Sequence, residues 1–242
     1  MTAPSRSGGV RRASSALYRL LRDPDDTSQV FEIVRAFEGP ALLRNFARFR
    51  ETALGREPAP NLARRLADRD ALAAMPAGSL GRAYLSFAQR YGLAADGLVE
   101  ASRPVDYSTF EDPEHQAFAE WLRDQHDLWH VLTGYDPDVV GELSLLAFTW
   151  AQTRNPGIAL ITGTGYLVTT PFMARGPAAR ATIREGWRRG SEAAWLPGVD
   201  WASMLPRPLD EVRRALGVGA PPAYARVWTK ELPFTRASAL AS

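Results

Sequence analysis

The chain has 242 residues, of which 45% are hydrophobic and 23% are charged, a balance typical of a globular protein with a sizeable core. It contains no cysteine, which excludes disulfides, thiolate metal sites and cysteine nucleophiles, so any metal must be bound by histidine and carboxylate. The formal net charge is only +2, so a nucleic-acid partner is not expected.

The N-terminal segment, residues 1–25, is rich in arginine and serine and has no acid before Asp23. Organelle transit peptides share this composition, but we interpret the segment as a flexible basic arm. We find no internal repeat and no low-complexity linker, which favours one domain over residues 26–220 followed by a C-terminal tail over residues 221–242.

Helix signals are frequent and strand signals are weak along the rest of the chain. Proline or Asp-Pro pairs open several segments, Ser79 caps another, and glycines such as Gly92 and Gly134 end them. The predicted helices cover residues 40–54, 79–92, 112–134, 136–154, 177–195 and 208–217. The predicted fold class is therefore all-α, a single mainly helical domain.

The most apolar stretch, residues 156–174, is interrupted by Gly163, Gly165 and Pro171. A membrane-spanning helix needs about 20 apolar residues in a row. We therefore expect a buried core helix here rather than a membrane span.

Two of the three histidines lie four residues apart in the sequence HDLWHVLTGYDPDVVGE, residues 126–142. On a helix, His126 and His130 are about 40° apart and one turn apart, so both can reach one divalent ion, and Asp127 shares their broad face. In a continuous helix Glu142 would lie about 18 Å beyond His130. The Gly-Tyr-Asp-Pro break instead predicts a metal-binding αα-hairpin that returns the chain toward the histidines.

The same residues also have a purely structural interpretation. Asp127 could pair with Arg123 on the helix surface, His126 could be a hydrogen-bonded core histidine, and Glu142 could be an acid favoured by the helix dipole. His115 is expected to be a solvated first-turn residue. A zinc hydrolase of the HExxH type is disfavoured, because aspartate replaces the glutamate that such enzymes use as general base.

The segment 126–142 resembles the H-D-x-x-H-x(11)-E signature of the Coq4 family of ubiquinone-biosynthesis proteins. Upstream, residues 70–93 are similar to the family's L-x-x-L-P-x-G-S-L-G-x-x-Y segment. Downstream, residues 199–218 resemble its closing tryptophan-to-E-x-R-x-x-L helix. The resemblance covers about residues 40–218.

The resemblance implies a largely helical fold whose motif binds zinc. The implied ligands are His126, Asp127, His130 and Glu142. Two histidines and a carboxylate would equally suit Fe(II). The resemblance also points to Arg123 and Tyr84 as substrate-binding residues.

The function implied by the resemblance is a step of ubiquinone biosynthesis, the metal-dependent decarboxylation and hydroxylation at C1 of a polyprenylated 4-hydroxybenzoate-type ring. The implied partners are the prenylated quinone precursor, a membrane surface and other ubiquinone-biosynthesis enzymes, and a homodimer is left open. The implied location is peripheral, on the inner face of a bacterial cytoplasmic or mitochondrial inner membrane. The alternative is a non-catalytic lipid-binding scaffold that organises the pathway enzymes.

The chain also departs from the family pattern. Trp121 stands where the family has the first arginine of R-Y-R-E, and Leu146 and Thr149 stand where many members carry a lysine and a glutamate. These replacements slightly favour the scaffold.

A membrane-docking face is predicted on the helix 177–195. The arginines Arg180, Arg184 and Arg188 are spaced as a stripe, with Trp187 and Trp195 nearby. Arginine and interfacial tryptophan are typical of surfaces that bind anionic headgroups. The alternative interpretation is a solvated helix face.

Overall fold

Side-chain caps set many helix boundaries in the computed structural model, which describes residues 6–23, 26–57, 59–93 and 112–232. The hydroxyl of Ser79 accepts a hydrogen bond from the backbone N–H of Arg82 at 3.2 Å. Asn155 caps in the same way, accepting from the N–H of Gly157 at 2.8 Å. These side chains satisfy N–H groups that the first helical turn leaves without a partner.

The helices are α1 (Arg6–Arg22), α2 (Thr27–Ala36), α3 (Glu38–Arg50), α4 (Leu62–Ala67), α5 (Arg69–Ala74), α6 (Leu80–Tyr91), α7 (Pro113–Asp124), α8 (His126–Thr133), α9 (Val139–Thr153), α10 (Pro156–Thr164), α11 (Gly176–Glu192), α12 (Trp201–Met204) and α13 (Leu209–Ala215). A π-helical turn covers Gly165–Thr169, and 3₁₀ turns cover Leu54–Arg56, Thr170–Phe172, Leu196–Gly198 and Thr229–Glu231. Over the described ranges there is no β-strand. The prediction of a single mainly helical domain is confirmed, whereas its metal-binding hairpin stays a prediction.

The predicted helix 112–134 is wrong at one position, because Gln125 separates α7 from α8. The Gln125 side-chain amide donates to the carbonyl of Trp121 at 2.9 Å, where a continuous helix would use a backbone N–H. Its carbonyl oxygen accepts from the indole of Trp201 at 2.8 Å. A buried glutamine with two such bonds stabilises the break.

The expectation of one buried helix over residues 156–174 is also wrong in part. Ile158 and Ile161 of α10 are buried, but Leu167 is 69% exposed and Phe172 is 59% exposed. The stretch changes from α-helix to a π turn and then a 3₁₀ turn, so its apolar side chains no longer share one face. No helix in the described ranges has the length and hydropathy needed to cross a bilayer.

The chain packs as two compact units. One contains α1, α2, α9, α10, most of α11 and residues 223–232. Here α1 and α2 pack on each other, and α10 contacts α2 and α9. Gly186 and Gly190 of α11 approach the carbonyls of Ser144 and Phe148 in α9 so closely that a Cβ at either glycine would collide with them. The two helix backbones are therefore in direct contact.

The second unit contains most of α3 together with α4 to α8, α12 and α13. Its core is aromatic, with the rings of Phe49 and Phe118 centred 4.9 Å apart and Trp121 beside Phe49. The Trp121 indole donates to the carbonyl of Pro197 at 2.8 Å. Helix α8 packs on α6, α7 and α13.

The domain boundaries proposed at residues 25 and 220 stay predictions. Within the N-terminal segment, Arg6–Arg22 form α1. Of the C-terminal tail, residues 233–242 lie outside the described residues.

Candidate metal centre

The two histidines of the motif lie on successive turns of α8, as predicted. Their Nε2 atoms are 3.2 Å apart, and the rings are nearly perpendicular, with centroids 4.8 Å apart. His130 is buried and His126 is half-buried. The pair therefore presents two ring nitrogens to one point.

The orientation of His130 is fixed by its other ring nitrogen. Nδ1 lies 2.8 Å from the backbone carbonyl of Tyr135. A carbonyl can only accept, so Nδ1 carries the hydrogen and Nε2 of the neutral ring keeps its lone pair. The ring of Phe87 stacks on His130 at 5.5 Å and limits its rotation. This is the arrangement by which proteins prepare a histidine for a metal.

The corner after α8 is closed by glycine and held by arginine. Gly134 adopts a left-handed conformation with φ of 77° and donates its N–H to the carbonyl of His130 at 2.8 Å. The guanidinium of Arg213 donates to the carbonyls of Leu132 at 2.9 Å and Val131 at 3.0 Å. These contacts satisfy carbonyls that the last turn of a helix leaves open.

Helix α9 starts two residues later than the Asp-Pro pair at 136–137 predicts, because Asp138 is its N-cap. The Asp138 carboxylate accepts from the N–H groups of Val140 at 3.1 Å and Gly141 at 3.4 Å. The same carboxylate accepts from the hydroxyl of Tyr224 at 2.6 Å and the N–H of Val227 at 3.0 Å. Burial raises the pKa of Asp138, and the hydrogen bonds oppose this effect.

Glu142 belongs to the first turn of α9 and is half-buried. Each of His126, His130 and Glu142 offers one ligand atom, and the three atoms all lie within 4.8 Å of one another. Two imidazole nitrogens and one carboxylate oxygen form a donor set that zinc and Fe(II) both accept. This donor group, His126, His130 and Glu142, contains three of the four ligands that the family resemblance implies.

Asp127, the fourth implied ligand, stays outside the donor group. It is half-buried, and its negative charge acts on Tyr84 of α6. Burial, and secondarily the charge of Asp127, raises the pKa of Tyr84, so the phenol is protonated throughout the neutral range. Tyr84 is thus a buried hydroxyl close to the metal motif.

The guanidinium of Arg123 binds its neighbour Asp124. Its Nε and Nη2 donate to Oδ1 of Asp124 at 2.9 Å and 2.7 Å, and the N–H of Ala63 donates to Oδ2 at 3.2 Å. Burial raises the pKa of Asp124, and Arg123 opposes the rise. Arg123 is therefore held in a largely buried ion pair.

His115 lies outside the donor group. Its ring packs edge-on against Phe46, with centroids 4.6 Å apart, and its Nε2 is 3.7 Å from a carboxylate oxygen of Asp112. His115 lies in the first turn of α7, as expected, but it is half-buried rather than solvated, with 24% of its side chain exposed.

Two of the three positions that depart from the family pattern, Leu146 and Thr149, lie in packed surroundings. Leu146 of α9 contacts the core formed by Ala16, Ile33 and Ile161. The hydroxyl of Thr149 is buried and has no hydrogen-bond partner among the described residues. Neither position adds a charged group to its surroundings.

Sequence reasoning missed the residues that hold the site in shape. Asp138 stands in the string Asp-Pro-Asp, where either acid can cap the helix, and the choice depends on Tyr224 more than 80 residues away. Arg213 and Gln125 carry no local signal of their partners. Only Gly134 could be predicted, because a glycine after the last periodic residue of a helix indicates the C-terminal end of that helix.

A mainly helical protein with a two-histidine, one-glutamate group of metal-ligand type is the class that these observations define. The family described as "Coenzyme Q (ubiquinone) biosynthesis protein Coq4" matches residues 13–222. The chain therefore belongs to the Coq4 family.

Curated relatives support this membership. "Ubiquinone biosynthesis protein COQ4, mitochondrial" of Yarrowia lipolytica is 32% identical over 168 residues, which are 67% of this chain and 60% of the relative. The protein of the same name in Eremothecium gossypii is 27% identical over 222 residues, 88% of this chain and 65% of the relative. The chain thus spans less than two thirds of the length of these relatives.

A crystal structure of a protein from Nostoc punctiforme PCC 73102 has the same fold. The match has a TM-score of 0.63 at 21% sequence identity and covers 90% of this chain and 100% of the other. At this identity the likeness concerns the fold alone.

Proposed function

We propose that this protein takes part in ubiquinone biosynthesis and modifies the ring of a polyprenylated 4-hydroxybenzoate-type precursor at C1, using a metal ion bound by His126, His130 and Glu142. Family membership supports the pathway. The observation that carries the site is the convergence of three ligand atoms within 4.8 Å. Asp127 is proposed as a fourth ligand or as a charge beside the ion.

The donor group suits a divalent ion on its own chemistry. The Nδ1–H of His130 is committed to the carbonyl of Tyr135, which leaves Nε2 free of a hydrogen. Two nitrogens that share a tetrahedral zinc at the usual bond length are about 3.4 Å apart, close to the 3.2 Å between His126 and His130. When bound, zinc would supply Lewis acidity to a ring oxygen, and Fe(II) is the alternative ion.

The ring is proposed to bind beside Tyr84 and Arg123. Tyr84 keeps its hydrogen at neutral pH, so it can donate to a phenolate or carboxylate oxygen of the ring. Arg123, whose guanidinium is paired with Asp124, is proposed as the positively charged group beside the ring carboxylate. Replacing the ring carboxylate by hydroxyl breaks the bond from C1 to the carboxylate, releases carbon dioxide and removes two electrons. With dioxygen as the oxidant and water as the source of the hydroxyl oxygen, hydrogen peroxide is the second product.

The proposed location is peripheral, at the inner face of a membrane. A polyprenyl chain partitions into the bilayer, so an enzyme that acts on the attached ring has to reach the bilayer surface. The relatives are named mitochondrial, which supports the mitochondrial inner membrane over the bacterial cytoplasmic membrane. The proposed partners are the prenylated precursor, the membrane surface and other enzymes of the pathway.

A non-catalytic scaffold that binds prenylated intermediates is the second candidate. It is favoured by Leu146 and Thr149, which replace the lysine and glutamate expected after the motif and lie in packed surroundings. In this case the ion would serve to hold the residues of the motif together.

Elemental analysis of the purified protein tests the metal. Wild type is expected to contain about one zinc or iron per chain, and His130→Ala is expected to contain almost none. His115→Ala is the matched control, since His115 lies outside the donor group, and it should keep the metal. Equal, negligible metal content in wild type and His130→Ala would contradict the proposed metal centre.

Turnover separates the enzyme from the scaffold. Purified wild type is incubated with a prenylated 4-hydroxybenzoate and dioxygen, and carbon dioxide and the hydroxylated ring are measured. Restored quinone synthesis in a deficient strain, without turnover by the pure protein, supports the scaffold. If Glu142→Ala restores synthesis as well as wild type does, neither role needs the donor group.

A further inference from the structure

We infer that one exposed surface docks on the anionic headgroups of a bilayer. This surface, the lipid-docking patch, consists of Leu167, Val168, Phe172, Arg180 and Arg184. The inference rests on the membrane location proposed above and names the surface responsible for it.

The apolar part of the lipid-docking patch is unusually exposed. Leu167, Val168 and Phe172 are 69%, 45% and 59% exposed. A single exposed apolar residue is ordinary, but three within six residues form a patch of the kind that binds a partner. The opposite side of this segment is fixed, since a Cβ at Gly165 would collide with the side chain of Leu143.

Two arginines of α11 bind residues of the same segment, Tyr166 and Thr170, which lie next to these apolar residues in the sequence. The Nε of Arg180 donates to the hydroxyl of Thr170 at 2.7 Å. The guanidinium of Arg184 donates to the hydroxyl of Tyr166, and both arginines lie over the Tyr166 ring, 5.5 Å and 5.9 Å from its centre. A guanidinium has five N–H donors, so these bonds leave each arginine able to bind a lipid phosphate.

The packing of α11 leaves the helix face that carries Arg184 and Arg188 exposed to solvent. Gly186 and Gly190 face the backbone of α9, whereas Arg184, Trp187 and Arg188 are exposed. Among the charged residues between 165 and 192, Arg175, Arg184 and Arg188 are exposed and Arg180 is half-buried, against two acids, Glu185 and Glu192, whereas Arg189 is buried. The surface therefore combines protruding apolar side chains with an excess of positive charge.

An anionic bilayer fits this surface better than a second copy of the chain does. In a two-fold symmetric dimer the patch would meet itself and bring Arg180 and Arg184 close to their own counterparts. Anionic headgroups neutralise the arginines, and the interface accepts the apolar side chains. The chemistry of the patch therefore identifies an anionic lipid surface as the occupant.

Vesicle flotation of the full chain tests the inference. The protein is mixed with phosphatidylcholine vesicles or with phosphatidylcholine–phosphatidylglycerol vesicles. Wild type is expected to float with the second kind, and the double variant Leu167→Glu/Phe172→Glu is expected to remain unbound. Arg184→Gln should weaken partitioning onto the anionic vesicles about fivefold, the effect of one basic residue near such a surface.

Matched controls change exposed residues elsewhere. Leu43→Glu alters a leucine of α3 that is 51% exposed, and Arg65→Gln alters an exposed arginine of α4. Both should float as wild type does, and circular dichroism should show that every variant is folded. Glu142→Ala should also float normally, so a failed metal centre leaves this test intact.

Three outcomes overturn the inference. If wild type does not float, both the lipid-docking role of the patch and the proposed membrane location are wrong. If the double variant floats as wild type does, the patch is not the docking surface, whereas the proposed membrane location stands. A double variant that loses a dimer in sedimentation while keeping vesicle binding assigns the surface to a second copy.

Discussion

The hydroxyl of Tyr224 donates a hydrogen bond to the carboxylate of Asp138 at 2.6 Å. This contact joins a C-terminal segment, beyond the residues that match the Coq4 family, to the N-cap of α9. The N–H of Val139 also donates to the carbonyl of Val227 at 2.8 Å. The segment 224–227 therefore fixes the first turn of the helix that carries Glu142.

Tyr224→Phe should destabilise the fold by about 1.5–3 kcal/mol, because it removes a hydrogen bond to a largely buried carboxylate. The free energy of unfolding, measured by urea denaturation, checks this expectation. Tyr18→Phe is the control, since Tyr18 is 59% exposed and surface changes usually stay within about 0.5 kcal/mol. Equal small effects of both substitutions would show that the Tyr224 bond adds nothing.

The stability contribution of Asp138 should depend on pH. Burial raises its pKa above the ordinary 3.8, against the hydrogen bonds of Tyr224 and Val227. A raised folded-state pKa means that the folded protein binds this proton more tightly than the unfolded chain does. The contribution is then complete below pH 3.8 and is lost as the pH rises through the folded-state pKa.

Comparison with Asp138→Asn isolates this effect. The free energy of unfolding of wild type, minus that of the variant, should fall as the pH increases from 3.8 toward neutrality. Urea denaturation at a series of pH values measures the difference. A difference that grows with pH contradicts the raised pKa.

Gly134→Ala should destabilise the corner after α8 by more than the usual cost of a left-handed residue, about 1–2 kcal/mol. Gly134 has φ of 77°, and a Cβ there would also collide with Pro221. Gly163→Ala is the matched control, because Gly163 is helical and has open space around it. That substitution should stabilise the protein by about 0.5–1 kcal/mol. Thermal unfolding of the two variants measures the contrast.

Zinc should stabilise the folded protein if the donor group binds it. At a free concentration about 100 times its Kd, the ion should raise the free energy of unfolding by about 2.7 kcal/mol. His126→Ala and Glu142→Ala should lose most of this response, whereas His115→Ala should retain it. An undiminished response in Glu142→Ala would place the bound zinc elsewhere.

Much of the helical structure follows from local signals in the sequence. Ser79 and Gly92 delimit α6 as predicted, and Gly134 ends α8. The pairing of His126 with His130 also follows, since helical geometry alone places residues four apart on one face. These features depend on residues only a few positions apart.

The features that sequence reasoning missed depend on distant partners. Gln125 interrupts a helix because it meets Trp201, and Asp138 caps α9 because it meets Tyr224. The exposure of Leu167 follows from a π turn, for which an apolar sequence gives no sign. Local propensity cannot predict contacts that only the folded chain creates.

The absence of side chains at Gly186 and Gly190 has a mechanical consequence. Close-packed interiors transmit strain, and direct backbone contact leaves no side chain between the helices at these positions that could change rotamer. Helices α9 and α11 are therefore expected to move together as one rigid body. A displacement of α11 at its exposed side, where Arg184 lies, would therefore also displace Glu142 of α9.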